Sequence, residues 1–103
     1  MLRALFNSID VSALGDNLVI PGRANHRILI VSLTLVASGV VVVTLNDTVG
    51  YPVMGGMSFV ANSGVAAGVE HGIAKASVGA GVNLNLSAAI QVGGSIGFVY
   101  EGV

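Results

Sequence analysis

Residues 28–46, ILIVSLTLVASGVVVVTLN, run for nineteen positions without a charge, and residues 48–69 run for another twenty-two. Length alone would let either stretch cross a bilayer as a helix. The residue types point elsewhere. The first run is built from Val, Ile, Leu and Thr, side chains that are stiff at χ1 or favour a pleated surface. Ser38-Gly39 interrupts its middle as a turn between strands does. The second run holds Pro52, Gly55-Gly56 and Asn62-Ser63-Gly64, which no spanning helix would carry together. These runs are therefore expected to be strands, and no membrane partner is expected. Nor does the opening segment read as a secretory signal, because Asn7, Ser8 and Asp10 break its apolar stretch.

Turn signals recur at the spacing of short antiparallel strands: Gly15-Asp16-Asn17, Pro21-Gly22, Ser38-Gly39, Asn46-Asp47, Asn62-Ser63-Gly64, Gly72, Gly79-Ala80-Gly81 and Gly93-Gly94. Between them strands are expected at 4–12, 16–21, 27–37, 40–46, 52–60, 73–78, 81–89 and 94–101. No window shows a helical stripe, and fifteen glycines would weaken any helix. The predicted fold is all-β, an antiparallel β-sandwich or jelly roll of about seven or eight short strands. It forms one domain over residues 1–103, with 1–14 as an N-terminal arm or edge strand.

Alternation assigns the faces. Val82, Leu84, Leu86 and Ala88 share one side of their strand, opposite Asn83, Asn85 and Ser87. In the 27–37 strand Leu29, Val31, Leu33 and Leu35 point one way. Ile28, Ile30, Ser32, Thr34 and Val36 point the other. Both sides are apolar, so this strand is expected to be central, one face on the core and the other, with Ile28, Ile30 and Val36, on a neighbouring subunit. Asn83, Asn85 and Ser87 are expected at the same kind of interface, where neutral groups escape the desolvation cost of buried charge.

Charge is scarce. Only 9% of residues are charged, against roughly 25% in ordinary domains. A folded monomer of this mass should expose about 5,400 Å². With 53% of residues apolar, much of that surface is expected to be covered by copies of the chain or by a partner. A net charge of −1 and the lack of any basic run argue against nucleic acid. The absence of cysteine excludes disulfides and thiolate chemistry.

Candidate catalytic groups are few: His26, His71, Asp10, Asp16, Asp47, Glu70 and Glu101. Glu70-His71 is adjacent in sequence but short of the three ligands of a catalytic metal site, so it reads as an exposed loop pair contacting a neighbour. His26 reads as the opening of a strand. Asp47 reads as a turn residue whose removal changes folding and assembly little. No Gly-x-Ser-x-Gly elbow is present, and Gly93-Gly94-Ser95-Ile96-Gly97 lacks the Lys-Ser/Thr and helix of a phosphate loop. No catalytic residue, cofactor, metal or small-molecule substrate is expected.

The C-terminal third, VGAGVNLNLSAAIQVGGSIGFVY, resembles the closing segment of small all-β virion proteins of tailed bacteriophages. Upstream, GDNLVIPG followed by HRILIVSLTLVASGVVVVTLND is similar to the opening of the same group. The segment AAGVEHGIAKAS departs from it, with Ile73 after Gly72 where an aromatic-bearing loop is expected. The resemblance implies a capsid decoration or cement protein on the major capsid protein lattice, self-associated as a trimer or dimer. It would be assembled in the host cytoplasm and carried on the virion surface. A head-fibre, neck or tail-surface protein is the nearest alternative. A small carbohydrate-binding module using Tyr51 is an alternative of another class.

Overall fold

The computed structural model describes residues 4–68 and 72–102, which form strands and no helix. The strands are β1 (Leu5–Val11), β2 (Gly15–Ile20), β3 (His26–Ala37), β4 (Val41–Asp47), β5 (Pro52–Phe59), β6 (Ser63–Gly68), β7 (Ala74–Lys75), β8 (Val82–Leu86) and β9 (Val92–Gly102). β4 and β5 form a hairpin near the chain midpoint. Working outward, β3 pairs with β6 and β7, β2 with β8, and β1 with β9, always antiparallel. The chain is thus one long hairpin. Winding it brings β9 beside β3 and β8 beside β4.

The result is a five-stranded sheet ordered β1-β9-β3-β6, with β7 also on β3, facing a four-stranded sheet ordered β2-β8-β4-β5. This is a jelly roll, in which β6 and β7 act as one interrupted strand. Its accessible surface is 5387 Å². The core is aliphatic, with Ile20, Ile30, Leu33, Leu45, Leu84 and Ile96 all fully enclosed between the sheets. Strand alternation explains it: Val41, Val43 and Leu45 point inward, while Val42 and Thr44 point outward.

Three expectations change. The turn and alternation signals predict no strand between Asn62 and Gly72, yet Ser63–Gly68 forms β6 against Ser32–Ala37 of β3. Gly and Ala carry little strand propensity, and what recruits them is the length of β3, whose exposed edge needs a partner. The strand expected at 73–78 shrinks to two residues.

The third change concerns β3 itself. Its pairing with β9 slips between Ile30 and Ser32, leaving Val31 as a bulge. An extra residue flips the alternation. Leu33, Leu35 and Ala37 face the core, and so do Ile28 and Ile30 on the other side of the bulge. Ile28 and Ile30, expected on an outer face for a neighbouring subunit, are fully buried and have no surface left to offer. Within the five-stranded sheet, β9 lies so close to β3 that a Cβ on Gly94, at φ 146°, would run into the Thr34 carbonyl.

Candidate functional site

The two ends of the roll differ in chemistry. At one end sit the β2–β3 loop, the β4–β5 turn, the segment between β7 and β8, and the end of β9. There Asp47, the last residue of β4, is buried at 2% exposure. Its Oδ1 accepts the backbone N–H groups of Val49 at 3.1 Å and Tyr51 at 3.0 Å, closing the β4–β5 turn on itself. Its Oδ2 accepts the Ser77 N–H at 3.1 Å and the Ser77 hydroxyl at 2.6 Å. Next to it, Thr48 donates its N–H to Gly81 O and accepts the Gly81 N–H on Oγ1, both at 3.0 Å. β4 belongs to one sheet, and Ser77 follows β7 of the other, so this carboxylate ties the two layers together.

Burial pushes the Asp47 carboxyl toward the protonated form, while the hydrogen bonds from Ser77, Tyr51 and Val49 favour the charged form. The bonds prevail, and the pKa lies below its ordinary value. The expectation that Asp47 could be removed with little effect is therefore corrected. A turn-position aspartate usually points into water, and here the sandwich folds over it.

Tyr100 organises the same end. Its hydroxyl donates to Pro21 O at 2.6 Å, its ring meets Phe98 edge-on at 5.4 Å, and the Arg23 guanidinium stacks 3.9 Å above it. His26 faces Tyr100 edge-on at 6.3 Å, with Nδ1 2.8 Å from Ala24 O. Arg27 sits opposite Glu101 across β3 and β9, and Lys75 Nζ is 3.9 Å from Glu101 Oε1. Every Lys and Arg among the described residues is at this end. Glu70 and His71 lie outside the described residues.

The opposite end is made by residues 12–14, 38–40, 60–62 and 87–91, none of them charged. Backbone bonds tie three of these segments to their neighbours: Ser38 N–H donates to Gln91 O at 3.0 Å, and Asn62 N–H to Ala37 O at 2.8 Å. Leu14, Val40 and Val60 stand out from them at 67%, 74% and 64% exposure. Ala13, Ala61 and Ala89 are exposed between them. Large apolar side chains in turns are a signal readable in the sequence, but strand alternation gives no weight to them.

Among the interface residues expected from sequence, Asn83 and Asn85 do share the outer face of the four-stranded sheet. Asn83 lies opposite Asn46 on β4 and Leu18 on β2, and Asn85 lies opposite Thr44 and Asp16. Asn85 Nδ2 donates to Asp16 Oδ1 at 2.9 Å. Ser87 is spent within the chain, its hydroxyl accepting the Val42 N–H at 2.8 Å. Val36 is half exposed on the outer face of the other sheet, flanked by Gly64 and Gly93. The predicted residues thus fall on two opposite faces and in the core, and do not make one patch.

No group of three or more His, Asp or Glu side chains is placed to hold a metal ion among the described residues. At the charged end Asp47, His26, Arg23, Lys75 and Glu101 each meet another side chain or the backbone, while the buried Arg27 Nε has no hydrogen-bond partner. What the arrangement offers chemically is contact surface: an apolar loop end and an amide-lined sheet face. Comparison of the chain with family models, with curated proteins and with solved structures finds no match.

Proposed function

We propose that this chain is a non-catalytic structural component of a larger protein assembly. In its specific form the proposal is a decoration or cement protein seated on the major capsid protein lattice of a tailed-phage head. It would be assembled in the host cytoplasm and carried on the capsid surface. Jelly rolls serve in viral shells and in lectins alike, so the fold does not choose between functions. The observation that carries the reading is the uncharged loop end, where Leu14, Val40 and Val60 are each more than 60% exposed. Exposed apolar side chains spread over one uncharged end suit a contact surface. Facing a protein lattice, they would bury their area with Asp10, bonded to the Gln91 amide at the border of this end, as the neighbouring charge.

The test is co-sedimentation of the purified chain with heads stripped of it. The unsubstituted chain is expected to pellet with the heads and raise their rupture temperature. The triple variant Leu14→Ser, Val40→Ser, Val60→Ser is expected to stay in the supernatant. If the unsubstituted chain also stays behind, the reading fails. A head-fibre, neck or tail-surface role uses the same chemistry, and gold labelling of intact virions separates it from a lattice position.

A carbohydrate-binding role has one observation in its favour. Tyr51 is 67% exposed, next to Pro52, which pairs with Asn46 on the face carrying Asn83, Asn85, Thr44 and Asp16. Amides and a carboxylate suit sugar hydroxyls, and an exposed ring suits a sugar face. Under this reading Tyr51→Ala abolishes retention on a glycan column. Retention unchanged by that substitution, or no retention on any glycan, removes it.

A further inference from the structure

We infer that β6 is the edge through which two copies of this chain join, extending their five-stranded sheets into one continuous sheet about a two-fold axis. Among the described strands the sandwich has four edges, β1, β2, β5 and the interrupted β6–β7, and all but the β6 part are guarded, β7 by the exposed Lys75. β1 carries the exposed Asp10, and Asn7 on it donates its Nδ2 to Val19 O of β2 at 3.0 Å, lacing that side of the roll shut. β2 carries the exposed Asp16, and its register slips between Leu18 and Ile20. β5 opens with Pro52, and its pairing with β4 is irregular at two places. Charge, proline and bulges are the devices that keep edges from recruiting other chains. β6, SGVAAG, has none of them and pairs with β3 in unbroken register.

The flanks of this edge are apolar as well. Val65, opposite the core residue Leu35, is still 37% exposed, so the inner side is not covered at this position. Val36, opposite Gly64, is 52% exposed on the outer side. An added strand would pair the free backbone groups of β6 and shade both valines.

Charge selects the occupant. Across a two-fold axis, a strand meets its own side chains. Pairing β1 about its middle would set Asp10 against the copy's Phe6, and pairing β2 would set Asp16 against the copy's Val19, each carboxylate giving up water for an apolar neighbour. β6 meets itself with no charge at all. Antiparallel pairing, the arrangement of every strand pair in this protein, is what a two-fold axis provides. Six residues make a small interface, so association in the micromolar range is expected rather than an obligate dimer.

The inference stands apart from the shell-binding reading, since the edge and the loop end take separate substitutions. Sedimentation equilibrium on the purified chain, from about 1 to about 200 µM, is expected to show a monomer–dimer equilibrium. Ala66→Lys, an exposed position on β6, should weaken dimerisation at least about tenfold with strand content and melting temperature unchanged. Val40→Asp at the loop end should leave the dimer intact and affect only binding to heads. A chain monomeric throughout that range overturns the inference, as does a dimer indifferent to Ala66→Lys. If Ala66→Lys unfolds the chain, hydrogen exchange on the unsubstituted protein decides. β6 amides that slow as concentration rises support the edge dimer, and amides unchanged across the range overturn it.

Discussion

The two ends of this jelly roll solve the same problem in opposite ways. At the end carrying Asp47 and Tyr100, loops from both sheets are tied to one another by a buried carboxylate, a tyrosine hydroxyl and a stacked guanidinium. At the other, three of the four loops are aligned by a few backbone bonds, and Leu14, Val40 and Val60 project into solvent. Polar groups are spent where the protein holds itself together. Where it has no internal need of them, it presents apolar side chains instead. In a chain with nine charged residues, all three Lys and Arg side chains among the described residues sit at the self-tied end.

The contrast can be broken most forcefully at Asp47. Asp47→Ala strands the N–H groups of Val49, Tyr51 and Ser77, and is expected to cost about 3 kcal/mol in urea unfolding. A loss under about 1 kcal/mol would mean that water replaces the carboxylate and that this end is not specially tied. Acid gives a second view of the same group. Because its folded pKa lies below the ordinary value, its contribution is complete above about pH 4 and is lost as pH falls through the folded value. Asp47→Asn is therefore expected to flatten that part of the acid limb of the stability curve.

Tyr100→Phe comes next, with an expected loss of about 1 kcal/mol from the missing bond to the Pro21 carbonyl. Arg23→Ala should cost about 0.5 kcal/mol, the usual worth of an exposed cation over a ring. The smallest effect belongs to the far end. The triple serine variant of Leu14, Val40 and Val60 is expected to unfold within about 0.5 kcal/mol of the parent. A large destabilisation there would show that these side chains support the fold and are not reserved for a partner.

Sequence patterning carried most of the architecture, because period-two alternation and turn residues act locally. The strand from Val82 to Leu86 reads as it folds, with its valine and leucines inward and its asparagines outward. What alternation could not reveal was non-local. Nothing around Val31 announces a bulge, since its cause lies in the registry with β9, some seventy residues away. That one slip turned Ile28 and Ile30 from supposed contact residues into core. β6 escaped for a similar reason, being a strand by virtue of its neighbour more than its own residues. The candidate surface was the least legible part. Asp47 looks like any turn aspartate until Ser77 is folded against it, and Leu14, Val40 and Val60 come to one end only through the topology that places their loops there.

Doubling the chain about its middle has a consequence for how the protein is made. β1, the first of the nine strands to be synthesised, pairs in its sheet only with β9, the last of them. β1 must therefore wait without its sheet partner until the other eight strands have been made, and its closure joins strands some ninety residues apart. Such long-range closure favours slow folding, and it makes the nascent N-terminal strand the stretch most in need of shelter by a chaperone until synthesis is complete.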